Sequence, residues 1–310
     1  MAEMMSDYIE IGPVPDYTEI KPRLQTEWRW LIAVAFYCCG LGAGTYVISL
    51  YYNFIAGMVI GYLISSVVGS LALFFDAGHG FRAWRAATNF RTSWISRGIV
   101  FITFFSIFGL LSIVGHLNLL ASFSAGGLPV TIADVLTVIF GLAIMFYSGF
   151  VMSFSPSISF WNNALVPVIF LVYSFLGGLS LLLLVSSVFP EHGGLDVAFL
   201  NRIELGLILL TLFTILVYVV NARDSLPATG LAARRWLGGS AFWIGVIVVG
   251  LIIPLIVAAY LSVKGGDPAA VAVGLSICGF LELIGGFIFR AILLNSGYYS
   301  PLLSIGRKTV

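Results

Sequence analysis

Residues 76–98 read DAGHGFRAWRAATNFRTSWISRG, and where this stretch can sit decides the fold. It holds four of the fifteen Lys and Arg residues (Arg82, Arg85, Arg91 and Arg97) with Asp76 and two tryptophans, Trp84 and Trp94, yet long apolar runs flank it on both sides. Desolvated charge is costly unless it is paired. The stretch is therefore expected to be a loop covered by water or by a partner. Its positive charge either fixes membrane topology or receives another subunit, and Asp76, Arg82, Trp84, Trp94 and Arg97 are its candidate partner or structural residues.

Composition supports the same reading. Charged residues make up 9% of the 310 and apolar residues 60%, whereas a typical soluble domain carries about 25% charged residues. This is the composition of an all-α integral membrane protein in contact with lipid. A net charge of +1 gives no reason to invoke nucleic acid as a partner. Cys38, Cys39 and Cys278 lie inside apolar runs without a CxxC pair, so they build neither an iron–sulfur cluster nor a zinc site. Residues 1–29 lack a positive segment followed by an apolar core. With Pro13, Pro15 and Pro22 they are expected to form an extended arm laid over a neighbour.

At about 20 apolar residues per span, eight helices are expected over residues 30–52, 56–75, 98–119, 132–153, 164–188, 200–220, 241–262 and 269–293. The domain plan is an arm over 1–29, a membrane domain over 30–294 with the Arg-rich loop at 76–97, and a tail over 295–310. Twelve of the fifteen basic residues fall on the side of the two termini; Arg202 and Lys264 fall on the other, and Arg290 lies within the last span. Basic residues are retained on the cytoplasmic face, so both termini and the Arg-rich loop are expected there. Small residues mark close helix contacts: Gly40, Gly42 and Gly44 in the first span, Gly177 and Gly178 in the fifth, Gly285 and Gly286 in the eighth. The first and fifth spans resemble each other, GLGAGTYVISL against LGGLSLLLL, which points to two four-helix bundles. Pro254 should bend the seventh span, and Pro167 is tolerated in the first turn of the fifth.

Ionisable side chains inside spans are functional candidates because burying them is expensive. His116 ends the third span and Asp134 begins the fourth, so antiparallel neighbours bring an imidazole and a carboxylate together at the outer face. Such a pair can hydrogen-bond a carbonyl oxygen and exchange a proton with it, and quinones present that oxygen; equally, the two can serve as helix-end caps. Tyr46, Asn53 and Tyr147 are further quinone candidates by depth or polarity. Glu282, Glu204 and Arg290 are candidates for a proton relay, with a neutral hydrogen-bonded carboxyl as the structural alternative for Glu282. Glu282 and Arg290 lie eight residues apart, about 12 Å along a helix. The three histidines, His79, His116 and His192, fall at different depths, so no pair can ligate a haem between helices. The protein is expected to hold no haem, no cluster and no metal.

The stretch at 76–98 resembles the NrfD/PsrC family, membrane subunits of polysulfide-reductase-type complexes. The family pattern is an Asp-Leu-Gly turn, an Arg, an aromatic, then Ser-Trp-x-Ser-Arg-Gly opening a helix. Here it is matched by Asp76, Gly78, Arg82, Trp84, Ser93, Trp94, Ser96, Arg97 and Gly98, with Ala77 in place of Leu and Gly80 where Pro is common. TEWRWLIAVAFYCCGLGAGTYV, WNNALVPVIFLVYSFLGGLSL and IGGFIFRAILLNSG resemble three further family blocks. The resemblance implies an eight-helix subunit without haem, multi-pass in the inner membrane of a prokaryotic cell. It implies binding of menaquinone or ubiquinone within the first four helices, near the outer face. It also implies an iron–sulfur (ferredoxin-like) partner subunit joined to a catalytic, often molybdopterin, subunit. Two competing readings are a secondary transporter, from the two-halved pattern and intramembrane acids, and a membrane anchor without a quinone site.

Overall fold

The computed structural model describes residues 22–76, 78, 88–119, 126–189, 195–223, 227–264 and 268–300. Eight helices long and apolar enough to cross a membrane run through them: α1 (Trp30–Tyr51), α2 (Ile55–Asp76), α3 (Trp94–His116), α4 (Leu128–Ser153), α5 (Leu165–Val188), α6 (Val197–Arg223), α8 (Ala241–Lys264) and α9 (Pro268–Asn295). A short α7 (Pro227–Gly238) precedes α8. The protein is all-α and integral to the membrane, as its composition predicts.

Several boundaries differ from expectation, each for a local reason. α3 begins at Trp94 rather than near residue 98, because the Ser93 hydroxyl accepts from the Ser96 amide and starts the helix inside the loop motif. Trp94 and Arg97 therefore stand on the first turn of α3, not in the loop. α4 starts at Leu128, four residues before expectation, with a proline in its first turn, where the missing N–H costs little. α7 falls below the length of a span and was not foreseen. Ala228, Ala232, Ala233 and Trp236 on its one face are buried, while Arg234 and Arg235 on the other are exposed. In α8 a π-helical stretch over Ala241–Ile252 runs up to Pro254, where the missing N–H makes a change of winding cheap.

Passing through the membrane an even number of times returns the polypeptide to one end, here called the terminal face. Its two described ends meet there directly. β1 (Arg23–Leu24) pairs antiparallel with β2 (Tyr298–Tyr299). The Gln25 amide donates to Gly297 O at 2.9 Å, and the Gln25 side chain donates to Leu294 O at 2.7 Å. The described part of the arm, residues 22–29, is thus laid over its own C-terminal segment. Trp161, fully buried, donates Nε1–H to Leu293 O at 2.9 Å, which ties the α4–α5 connection to the same place. Below, the opposite end is the distal face.

Helices α1 to α4 form one four-helix half and α5, α6, α8 and α9 the other, and α1 packs along α5 at the centre. The glycine stripe of α1 makes this possible. A Cβ on Gly44 would stand 2.1 Å from Ser174 O, and one on Gly178 2.5 Å from the Gly44 carbonyl carbon. Only hydrogen fits between the two backbones. In lipid, where helices gain nothing from hiding apolar area from water, such close backbone approach supplies the packing.

Candidate functional site: a cavity at the terminal face and polar clusters in the spans

The first four helices open at the terminal face into a cavity of about 630 Å³. α1 and the residues before it contribute Glu27, Trp28, Ile32 and Phe36; the end of α2 contributes Ser70, Leu73, Phe74 and Asp76. The start of α3 contributes Ile95, Ile99, Ile102 and Thr103, and the end of α4 contributes Tyr147 and Val151. The walls are mostly apolar, with two carboxylates, two hydroxyls and a phenol among them. That is the usual constitution of a small-molecule site.

Its rigid elements come from packing the sequence only partly discloses. Trp28 lies tilted against Trp161 at 5.1 Å and meets Phe36 edge-on at 5.9 Å, and Phe36 meets Tyr147 edge-on at 6.1 Å. Tyr147 lies against Gly98, where a Cβ would fall 2.1 Å from ring carbons Cε2 and Cζ. Glu27 accepts a hydrogen bond from Tyr299 of the C-terminal segment. That bond to a carboxylate raises the Tyr299 hydroxyl above its ordinary value.

The expected partner or structural residues divide. Asp76 ends α2 at the cavity. Trp94 stacks on Phe150 at 4.7 Å, and Arg97 lies 4.4 Å over the Trp94 ring while donating to Phe90 O and Arg91 O at 3.1 and 2.8 Å. Both side chains therefore hold the segment before α3 against the bundle. Arg82 and Trp84 lie outside the described residues.

The pairing expected at the other end is present. His116 Nε2 and Asp134 Oδ2 are 3.2 Å apart, and Ser112, one turn before His116, donates to Asp134 Oδ1 at 2.5 Å. Tyr46 is fully buried beside them, donating to Gly109 O at 2.9 Å. The structure separates these three from Tyr147, which faces the terminal-face cavity. Asn53 is exposed in the α1–α2 turn at φ 51°. Asn tolerates that left-handed conformation well, and its position serves the turn.

Glu204, Glu282 and Arg290 are all buried in the second half. Ser180 Oγ of α5 lies 2.5 Å from Glu282 Oε2. Arg290 is caged by the rings of Tyr37, Phe170 and Tyr173 at 5.3, 5.1 and 5.6 Å, with Gly286 O and Ser174 Oγ as its hydrogen-bond partners at 3.3 and 3.4 Å. Sequence reading missed Ser112, Ser174, Ser180, Tyr37 and Tyr173. Serine and tyrosine are common in spans, and only cross-helix contacts single these ones out. Among the described residues no group of three or more His, Cys, Asp or Glu side chains is placed to hold a metal ion.

A family model described as "Polysulphide reductase, NrfD" matches residues 18–301. This chain belongs to the NrfD family. Among curated proteins, the NrfD-family chain is 23% identical over 271 residues to the C subunit of the polysulfide reductase of Wolinella succinogenes, covering 74% of this chain and 82% of that protein. It is 22% identical over 320 residues to the NrfD homolog of Haemophilus influenzae, covering 92% and 97%. It is 27% identical over 173 residues to protein NrfD of Escherichia coli, where the match covers 54% of this chain and 52%, about half, of the relative. The match of the NrfD model takes in all eight spans and the described arm from residue 22.

Proposed function

We propose that this NrfD-family chain is the quinone-reactive membrane subunit of a multi-subunit respiratory oxidoreductase in a prokaryotic cell membrane. The observation that carries the site is the terminal-face cavity: about 630 Å³ of mostly apolar space with Tyr147 on its wall and Asp76 and Glu27 among its lining residues. Its volume lies within the roughly 300–1,000 Å³ of small-molecule pockets. A quinone, when bound, supplies two-electron, two-proton chemistry at its carbonyl oxygens. The protein's own part is to hold the ring between Phe36, Ile99 and Val151 and to offer the Tyr147 hydroxyl as a hydrogen-bond donor. The carboxylates of Asp76 and Glu27 exchange protons there.

With no cluster of its own expected, the subunit takes electrons from, or passes them to, an iron–sulfur partner joined to a catalytic, molybdopterin-type subunit. The exposed Arg23, Arg29, Arg91, Arg223, Arg234 and Arg235 make the terminal face basic and suited to an acidic partner surface. The transporter reading is weaker, because α5 and α9 run unbroken through Gly177-Gly178 and Gly285-Gly286, whereas transporter sites use interrupted helices.

A second reading keeps the headgroup at the distal face, on His116 and Asp134, and is favoured by their 3.2 Å contact beside Ser112 and Tyr46. Photolabelling the assembled complex with an azidoquinone separates the two. Label on the peptides of Trp28, Asp76 or Tyr147 supports the cavity; label on those of His116 or Asp134 moves the site. No protection by excess quinone at either place returns the protein to the role of a bare anchor.

A further inference from the structure

Glu204 on α6 and Glu282 on α9 face each other in the second four-helix half, away from the cavity, with essentially no exposure. Ser180 reaches Glu282 from α5. Cys278, one turn before Glu282 on α9, and Tyr173 on α5 are the other titratable groups turned toward the pair. The Ser180 hydroxyl carries one hydrogen and has two close oxygen neighbours, Leu176 O at 2.7 Å and Glu282 Oε2 at 2.5 Å. One hydrogen cannot satisfy both contacts, and two oxygens that close with none between them repel. Both are satisfied when Ser180 donates to Leu176 O and Glu282 Oε2, itself bearing a proton, donates to Ser180.

Charge counting leads to the same assignment. Two neighbouring buried carboxylates cannot both stay ionised cheaply, and the remaining acceptors, Glu204 Oε1 and Oε2 and Glu282 Oε1, have no hydrogen-bond partner among the protein's own groups. The buried cation of this half, Arg290, lies about 12 Å along α9 from Glu282, too far to ion-pair with it. It is not ion-paired: among the described residues the one ion pair within 4.0 Å is His116 with Asp134.

We propose that Glu204 and Glu282 form a proton-exchanging site holding a single proton, seated on Glu282 and supported by Ser180. In the transfer step the Glu282 carboxyl turns its O–H from Ser180 toward Glu204, that O–H bond breaks and an O–H bond forms on a Glu204 oxygen; the negative charge passes to Glu282, and no electrons move. Ser180 is a positioning residue: without its oxygen as acceptor, nothing selects Glu282 over Glu204. The proposal does not rest on the quinone reading, because the pair exists in the protein without a ligand.

The test is infrared spectroscopy of the full-length protein in lipid nanodiscs, without quinone, in H2O and in D2O. One protonated-carboxyl band is expected that shifts on exchange into D2O, is lost in Glu282→Gln and is retained in Glu204→Gln. In Ser180→Ala, a small change that leaves both acids in place, the band should move to higher frequency as its hydrogen bond is lost. Four results would overturn the proposal: no such band in the wild type, a band that each Gln variant halves (two protons), one insensitive to Ser180→Ala, or one that never exchanges in the folded protein (a sealed structural hydrogen bond).

Discussion

Gly98, in the first turns of α3, couples the loop motif to the cavity, and Gly98→Ala measures that coupling. Its Cβ would fall 2.1 Å from Cε2 and Cζ of Tyr147, whereas ordinary contact begins at 3.4 Å. The ring must therefore retreat by about 1.3 Å, and it is 3% exposed, so its neighbours must move too. Overpacking of this kind costs about 1–3 kcal/mol. Because Tyr147 is also a cavity wall, displacement of the ring should weaken quinol binding as well as the fold. About 1.4 kcal/mol of lost binding corresponds to a tenfold rise in KM. The assay is steady-state turnover of the assembled complex with a short-chain quinol analogue, alongside thermal melting of the purified subunit. Tyr147→Leu in the Gly98→Ala background removes the ring atoms that clash, and melting should recover, giving a coupling energy of about 0.5–3 kcal/mol in the double-mutant cycle. A Gly98→Ala variant with wild-type KM and melting would refute the reasoning. So would a double variant no more stable than Gly98→Ala alone.

His116→Ala breaks a partly exposed contact to Asp134, which should cost only about 0.2–1 kcal/mol and leave the quinol KM within about twofold of wild type; a tenfold rise would move the headgroup to the distal face. Trp161→Phe removes the Nε1–H that satisfies the buried Leu293 carbonyl. Melting should register a loss of about 1–3 kcal/mol, and an unchanged melt would mean the terminal-face clip contributes little. Gly178→Val puts side-chain carbon where the Gly44 backbone lies 2.5 Å away. Membranes should then hold little folded protein, as read by detergent-resistant yield, whereas Gly206→Ala, with nothing within 4 Å of its Cβ, should behave as wild type.

The membrane class, the eight spans and their approximate limits were legible in the sequence, because a polypeptide with 60% apolar residues must satisfy its backbone within helices wherever lipid surrounds it. The glycine stripe of α1 and the pairing of His116 with Asp134 were legible too, since each follows from helical spacing or from antiparallel neighbours joined by a short connection. Tertiary structure decided the rest. Spacing along one helix cannot tell which neighbour it meets, so Ser180 against Glu282 and the ring cage of Arg290 became visible only once α1, α5 and α9 were packed together, and the contact of Tyr147 with Gly98 only once α3 met α4. The cavity is the clearest case. It needs four helix ends and the returning N-terminal segment at one face, and empty space between elements leaves no mark on any one of them.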